Sequence, residues 1–549
     1  MPATNVATAT VPAASDRIAA SGVSRRSFVG LAGAAAAAGL LARLGISPLD
    51  ATFAGAAESG GTFTYAIAGD PGSNVNPVTT NDRYGLMTLK LLFNQLFTYR
   101  ADGITWYLAD GYDESDDHKE FTFHLHEGVT WSDGEPFTAD DVVFTYQTIQ
   151  SIPTADAYSS LNYGDDGKVE VEAIDDLTVK FTFPFVNAAA LEKLQGPDGV
   201  WIFPRHVYEG VTDFENNDVN ARPVGTGPYT LADYQAGSYV QFAANKDYFK
   251  GAPQTDGIVF QIVTNENTGM QAIQTGQVDA WIGTAAQIQQ MDIQGNGLTV
   301  TPYSENRVAY LTFNAQRVTD QRVRQALWYA LDKKAIADAA ALSDEYYELE
   351  YTFLPTTSEF YNPDAVQKYE RDVQKAAQLL ADAGQTNPTF RVAYTGSDSL
   401  QTNALIVAQE QAAEAGITLE LVGLESAALS QAQRDASSDY DITFGGYIMG
   451  IDPDTYADHF TSGSPSNYGH LDDPELDDLF TQGRQETDHD KRVAIYDKIQ
   501  ARVQDNAAFY PLYSNKRLLV TTARVSGIED AKLIPIYTFE DYDKLRVQG

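Results

Sequence analysis

Alternation of apolar and polar residues predicts short strands in the first third of the chain. The alternation recurs at 61–68, 121–125 and 178–183. A different spacing predicts a helix that begins near Asp320, a plausible N-cap, because apolar residues then recur at three- and four-residue intervals. These residues are Val323, Ala326, Leu327, Ala330 and Leu331.

Helical and strand patterns follow each other in the later part of the chain. A helix predicted at 372–384 precedes a strand at 389–394, and a helix at 400–415 precedes a strand at 418–422. This repeated order is typical of an open α/β sheet. Since no internal repeat or long low-complexity linker interrupts the pattern, we expect interwoven lobes rather than separate domains on a string.

A short apolar run near the N-terminus resembles an export signal. Arg25 and Arg26 precede an Ala-, Gly- and Leu-rich run at 31–41, and small residues offer a cleavage site after Ala56. We therefore predict a twin-arginine signal over 1–56, with the twin-arginine translocase as a partner during export. The alternative is a retained membrane anchor, although the run is shorter than the roughly 18 residues that span a bilayer. The expected location is the periplasm or the extracellular face of the cell membrane.

Composition excludes several classes of function. The 549 residues include 75 acidic and 37 basic side chains, a net charge of −38. A surface this anionic repels phosphate backbones, so we expect no binding to nucleic acid. Cysteine is absent, which removes disulfides, thiolate metal sites and a lipid anchor on cysteine. How the exported protein would stay at the cell surface is therefore open.

Five motifs occur in one order along the chain. They are GVTWSDG with PFTADDV (128–142), PVGTGPY (223–229), QTGQVD (274–279), RVRQAL (322–327), and NY with DPELD (467–477). In this order and spacing they resemble the large solute-binding proteins of ABC importers, the oligopeptide- and dipeptide-binding family known as extracellular solute-binding protein family 5.

The resemblance implies an α/β fold of the periplasmic-binding-protein-like kind, class II and of the large three-lobe type, with mixed sheets and a hinged ligand cleft. Lobe I would comprise 57–96, 206–305 and 513–549; lobe II would be 97–205, and lobe III 306–512. Lobes I and III would close on a ligand by hinge motion. The implied hinge residues are Tyr303, Ser304, Asn306 and Tyr513.

The implied function is capture of a small solute, first of all a peptide, between lobes I and III. The protein would deliver it to a membrane permease with a cytoplasmic ATPase. We expect a monomer without a cofactor. The alternatives are a non-peptide solute, such as an oligosaccharide or a metal chelate, and a peptide-sensing receptor. A secreted hydrolase is a more distant alternative.

The resemblance also places the ligand. One wall of the cleft would be Asn81, Asp82, Arg83 and Tyr84. The facing wall would be Gly445, Gly446, Tyr447, Ile448 and Met449. In peptide-binding members these two segments add the ligand as a strand, and the glycines would permit close backbone approach. An ordinary exit from a strand into a loop is the alternative.

The chain departs from the peptide binders of the family at one position. Those proteins place an Asp there to pair with the α-ammonium of the ligand, whereas this chain has Met449 or Gly450. The nearest carboxylates, Asp452 and Asp454, are either a capped turn or a shifted anchor. A neutral, sugar-like or N-blocked ligand would instead stack on Tyr447, Trp281 and Tyr310.

Motifs of catalysis and metal binding are weak. His124 and His126 share one face of a predicted strand and could hold a metal, but no third ligand is evident. Neither a G-x-S-x-G nor an H-E-x-x-H sequence occurs. We therefore predict neither a metal site nor an enzyme.

Overall fold

The structure, a computed structural model, describes residues 60–548 except Asn74 and Met449. The predicted signal, 1–56, lies outside these residues. Within the described part, no helix is long and apolar enough to cross a membrane. Lobe I, lobe II and lobe III denote the residue ranges predicted from the sequence.

Helices separate successive strands over residues 298–522, whereas the parts of the chain before and after this range also contain runs of consecutive strands. The strands are β1 Gly60–Ile67, β2 Phe97–Arg100, β3 Gly103–Trp106, β4 Ala109–Glu114, β5 Glu120–Leu125, β6 Glu170–Asp175, β7 Thr178–Thr182, β8 Tyr229–Gln235, β9 Tyr239–Ala244, β10 Thr255–Ile262, β11 Ala280–Gly283, β12 Leu298–Phe313, β13 Tyr347–Leu349, β14 Thr389–Thr395, β15 Thr418–Leu424, β16 Ile442–Ile448, β17 Phe509–Thr522, β18 Val525–Ser526, β19 Leu533–Ile534, β20 Thr538–Phe539 and β21 Arg546–Val547.

The helices connect these strands. They are α1 Arg83–Leu92, α2 Ala139–Ser151, α3 Tyr158–Leu161, α4 Ala190–Gln195, α5 Arg205–Tyr208, α6 Glu266–Gln274, α7 Ala285–Ile288, α8 Gln321–Ala330, α9 Lys333–Ala341, α10 Val373–Asp382, α11 Ser399–Glu414, α12 Ser426–Arg434, α13 Pro474–Gln485, α14 His489–Asp505 and α15 Ile528–Ala531. Short 3-10 helices occur at Gly164–Asp166, Val219–Ala221, Asp344–Tyr346, Pro453–His459 and Tyr542–Lys544.

One mixed sheet of eleven strands runs through lobes I and III. Its order is β15-β14-β16-β12-β17-β11-β1-β10-β9-β8, and β13 pairs with β17. The pairs β14–β15 and β1–β10 are parallel, while the long central pair β12–β17 is antiparallel. The predicted α/β fold with mixed sheets is confirmed.

Lobe II carries its own four-stranded sheet, in the order β4-β5-β7-β6. Its core continues into lobe I, because Phe97 and Phe123, which stack at 5.3 Å within lobe II, belong to the same hydrophobic cluster as Phe63 of β1 in lobe I. Burying one shared apolar surface fixes lobe II against lobe I.

Lobe III buries both faces of its central strands. Along β12, Leu311 and Phe313 pack into one core, while Val308 and Tyr310 pack into another on the opposite face. This follows from the two-residue alternation of a strand that is covered on both sides. The position of Tyr310 in such a core bears on the predicted site.

Local sequence signals are well represented in lobe III. Asp320 is the N-cap of α8, and its side chain accepts a hydrogen bond from the amide of Arg322. The predicted helix–strand pairs appear as α10 with β14 and α11 with β15. These elements carry both a cap and an apolar stripe within one short stretch, so the sequence predicts them directly.

Candidate ligand-binding cleft

The strand β12 crosses between lobes I and III and separates two cavities. Its backbone is irregular between Ser304 and Val308, where the register to β17 shifts and Asn306 adopts a positive φ of 54°. Ser304 and Asn306 line the first cavity, named chamber 1, whereas Glu305 lines the second, named chamber 2. Three of the four predicted hinge residues, including Tyr303, therefore lie at this irregular crossing, and the fourth, Tyr513, is buried at the start of the last lobe I segment against the hydrophobic core of lobe III.

Chamber 1 has a volume of about 510 Å³. Its walls comprise residues 532–537 of lobe I, residues 99–102 of lobe II, and Ile448, Gly450 and Ile451 of lobe III. The volume falls in the range of roughly 300–1,000 Å³ that is typical of small-molecule sites. A solute in chamber 1 would contact all three lobes.

Two ion pairs neutralise charge on the wall of chamber 1. Arg100 Nε donates to buried Glu540 at 2.7 Å, and Lys90 approaches the same carboxylate at 2.7 Å. Burial alone would raise the pKa of Glu540, but the two cations lower it well below its usual range. Asp102 pairs with Lys532 at 3.0 Å near the surface.

Glu192, on α4 of lobe II, is an acid of a different kind on the same wall. Its side chain is buried and accepts a hydrogen bond from the Asp452 amide at 2.9 Å. Burial, followed by repulsion from the Asp452 carboxylate, raises the pKa of Glu192 to about 8. Within the described residues it forms no ion pair. A Cβ added at Gly450 would overlap Glu192 Oε1, so glycine at 450 makes room for this carboxylate.

Asp452 is engaged within lobe III. Its carboxylate makes two hydrogen bonds of 2.7 Å to Arg492 and accepts from the Asp454 amide, which caps the 3-10 helix Pro453–His459. Asp454 is fully buried and pairs with Arg484 at 3.1 Å. This geometry matches the capped-turn interpretation, and Asp452 lines neither chamber.

Some of the predicted wall residues of β16 lie in the hydrophobic core and others at the cleft. Tyr447 is buried, donates to the Phe353 carbonyl at 2.8 Å, and packs against buried Tyr310 with ring centroids 5.1 Å apart. The space beside Gly445 and Gly446 is filled by the Tyr310 ring and the Arg307 guanidinium rather than left open for a ligand backbone. Ile448 lines chamber 1. Met449 lies outside the described residues.

The predicted wall residues at the start of α1 also differ in location, because only some of them line a cavity. Asn81 is exposed, and Asp82 caps α1 by accepting from the amides of Tyr84 and Gly85. Arg83 and Tyr84 line chamber 2 together with Trp281. The Trp281 indole is largely buried and occupies the space beside two glycines, Gly269 and Gly283.

Chamber 2 has a volume of about 310 Å³ and lies between β1, α1 and β11 of lobe I and Ala341, Tyr346 and Leu400 of lobe III. Glu305 is buried and contacts two guanidinium groups, that of Arg83 and that of Arg517, the latter at 3.2 Å. Sequence reasoning missed Glu192, Glu305 and Arg517 because no local motif marks them.

The histidine pair does not form a metal cluster. His124 lies 2.9 Å from Asp113 on exposed strands. No group of three or more metal-ligating side chains occurs in the described part of the chain.

A continuous sheet that joins two α/β halves across a cleft defines a periplasmic-binding-protein-like fold. Residues 104–468 match the family model described as bacterial extracellular solute-binding proteins, family 5 middle. The chain belongs to this family and is the solute-binding component of an ABC importer. The predicted family assignment is confirmed.

Individual relatives cover most of the chain. The crystal structure of an ABC transporter substrate-binding protein, CtaP, from Listeria monocytogenes is 34% identical, with a TM-score of 0.85 over 90% of this chain and 100% of that one. The oligopeptide-binding protein AppA of Bacillus subtilis is 25% identical over 89% of this chain and 92% of its own length. The heme-binding protein A of Haemophilus influenzae is 28% identical over 86% and 90%.

Proposed function

We propose that the protein captures a short peptide in chamber 1, between lobes I and III, and delivers it to a membrane permease. The observation that carries the proposal is chamber 1 itself, a cavity of about 510 Å³ beside the crossing strand with walls from three lobes. Binding of oligopeptides by a relative, AppA of Bacillus subtilis, supports the peptide class.

An unpaired strand edge would hold the backbone of the peptide. β14 pairs with β16 only at Ile442 and Thr443. Beyond them, Phe444 to Ile448 pair with β12 on one side, and their opposite edge has no strand partner among the described residues. An extended peptide adds to such an edge through main-chain hydrogen bonds, which give affinity with little dependence on side chains. Ile448 brings this edge to chamber 1.

Glu192 would receive the ammonium group of the peptide. The segment that carries this acid in the family's peptide binders has Met449 and Gly450 here, but Glu192 lies directly against Gly450. A buried carboxylate without a cation is stabilised when one arrives. The acid would then come from lobe II instead of lobe III.

Closure would bend the chain at Tyr303, Ser304, Asn306 and Tyr513. Lobes II and III already touch in this conformation, because the Ala188 amide donates to the Arg484 carbonyl at 2.8 Å and Lys193 lies 3.5 Å from Asp454. In the proposed cycle the protein closes on the solute and does not convert it chemically. It would act as an exported monomer without a cofactor. Export would follow the twin-arginine route.

A non-peptide solute is the second candidate, and one observation favours it. The position of the family's ammonium-binding Asp is occupied by Met449 or Gly450, and one relative at similar identity is named a heme-binding protein. A peptide-sensing receptor would use the same cleft.

Native mass spectrometry of the purified protein, before and after mild denaturation, tests the proposed function. Proteins with closed clefts often keep their ligand through purification. We expect released masses spaced by amino-acid residues. A single non-peptide mass would contradict the peptide class and support the second candidate. If the cleft is empty, titration with trialanine decides, and absence of binding to a series of di- to pentapeptides would contradict the proposal.

A further inference from the structure

We propose that chamber 2 is a carboxylate-binding subsite, in which Arg83 and Arg517 hold a small organic anion next to an apolar wall. The inference does not depend on peptide capture in chamber 1, because it concerns a separate cavity and different residues.

The buried charges of chamber 2 are unequal. Arg83 and Arg517 line it and share the single buried carboxylate of Glu305. The other charged groups of the wall have partners of their own, because Lys516 pairs with Glu348 at 3.4 Å and Glu266 accepts from the side-chain amide of Gln287 at 3.1 Å. The excess of positive charge at Glu305 favours an anion, and more strongly than in bulk water because the surrounding dielectric is low.

Hydrogen-bond donors remain available. Arg83 uses Nη1 for the Ile536 carbonyl at 3.0 Å and Nη2 for Glu305. Arg517 uses only Nη1, for Glu305, and its buried Nε has no partner within the described residues. A guanidinium carries five donors, so a second carboxylate can be accommodated at this pair.

The remaining wall of chamber 2 is apolar and aromatic. Trp281, Tyr346 and Leu400 contribute to it. A ligand with a carboxylate at one end and a short hydrocarbon part at the other would satisfy both surfaces. Because Tyr346 and Leu400 belong to lobe III and Arg83 and Arg517 to lobe I, an anion here would bridge the two lobes.

Saturation-transfer NMR on the purified protein, with butyrate as the probe and butyramide as its neutral isostere, tests this subsite. We expect transfer to butyrate and little to butyramide. Arg517→Gln should weaken butyrate binding by roughly ten-fold, since a charge-assisted hydrogen bond is lost. Arg517→Lys, which keeps the charge, should retain part of the binding. Glu305→Gln should strengthen it, because the competing internal carboxylate is removed.

The matched control is Arg546→Gln, an exposed arginine of lobe I that pairs with Asp530, and it should leave butyrate binding unchanged. Equal transfer to butyrate and butyramide would overturn the inference. Equal effects of Arg517→Gln and Arg546→Gln on butyrate binding would also overturn it. A loss of butyrate binding in both Glu305→Gln and Arg517→Gln would do the same, since a purely structural cluster predicts that both substitutions weaken binding. Butyrate binding without any peptide binding would overturn the proposed function and leave the subsite intact.

Discussion

Chambers 1 and 2 lie beside the same crossing strand but differ in their charge. In chamber 1 the basic side chains are paired, and the group without a counter-ion is an acid, Glu192. In chamber 2 the groups with spare hydrogen-bonding capacity are the two arginines that pair with Glu305, Arg83 and Arg517. The two proposed sites therefore suit solute groups of opposite charge, an ammonium in chamber 1 and a carboxylate in chamber 2. β12 lies between the two chambers, with Asn306 on the wall of chamber 1 and Glu305 on the wall of chamber 2.

Two neighbouring acids, Asp452 and Glu192, differ in whether they have a cationic partner. Glu192 accepts a hydrogen bond from the backbone amide of Asp452, yet the Asp452 carboxylate has Arg492 as a bidentate partner and Glu192 has no cationic partner among the described residues. Asp452 therefore belongs to the fold, and Glu192 is the acid available to a solute.

The largest expected effect comes from breaking the Asp452–Arg492 pair. Arg492→Leu removes one partner of a buried, doubly hydrogen-bonded ion pair. We expect the free energy of unfolding to fall by about 3–5 kcal/mol, because an uncompensated carboxylate is left buried. Urea denaturation measures the change. Lys491→Leu, at the exposed neighbouring position, is the control and should change stability little. If Arg492→Leu changes the free energy of unfolding as little as Lys491→Leu does, the structural role of the Asp452–Arg492 pair is contradicted.

A smaller effect concerns the dependence of stability on pH. The pKa of Glu192 is raised to about 8 by burial and by Asp452. Between the ordinary Glu pKa of about 4.3 and this value, the folded protein holds a proton that the unfolded chain has lost. Glu192 therefore makes the unliganded protein less stable as pH rises through this window, with no further change above it.

Thermal melts of the wild type and of Glu192→Gln check this sign. The melting temperature of the wild type should decline relative to the variant as pH rises through the window. Glu209→Gln, an exposed acid paired with Arg205, should follow the wild type. If the melting temperatures of the wild type and Glu192→Gln change with pH in parallel, the raised pKa of Glu192 is contradicted.

Sequence patterns predicted the fold of lobe III better than its site. Asp320 with the apolar stripe of α8, and the paired α11 and β15, are local signals. Tyr310 and Tyr447 have the same appearance in sequence whether they face a ligand or a core. Because β12 and β16 lie in the middle of the sheet with apolar clusters on both faces, the two rings are buried instead.

The charged groups of the cleft come together from distant parts of the chain. Glu192 meets Asp452 across 260 residues, and Arg100 meets Glu540 across 440. No spacing rule connects such pairs, since their proximity depends on how β12 and β17 join the lobes. Arg83 is the exception, because the family resemblance singled it out; it lines chamber 2 rather than chamber 1.

Isothermal titration calorimetry with trialanine and N-acetyl-trialanine tests the central claim most directly. We expect the wild type to bind trialanine roughly ten-fold more tightly than N-acetyl-trialanine, since only the free peptide offers an ammonium to Glu192. Glu192→Gln should lose this preference, whereas Glu209→Gln should keep it. Equal affinity of the wild type for the two peptides, or a preference that survives in Glu192→Gln, would contradict the assignment of chamber 1 as a peptide site anchored from lobe II.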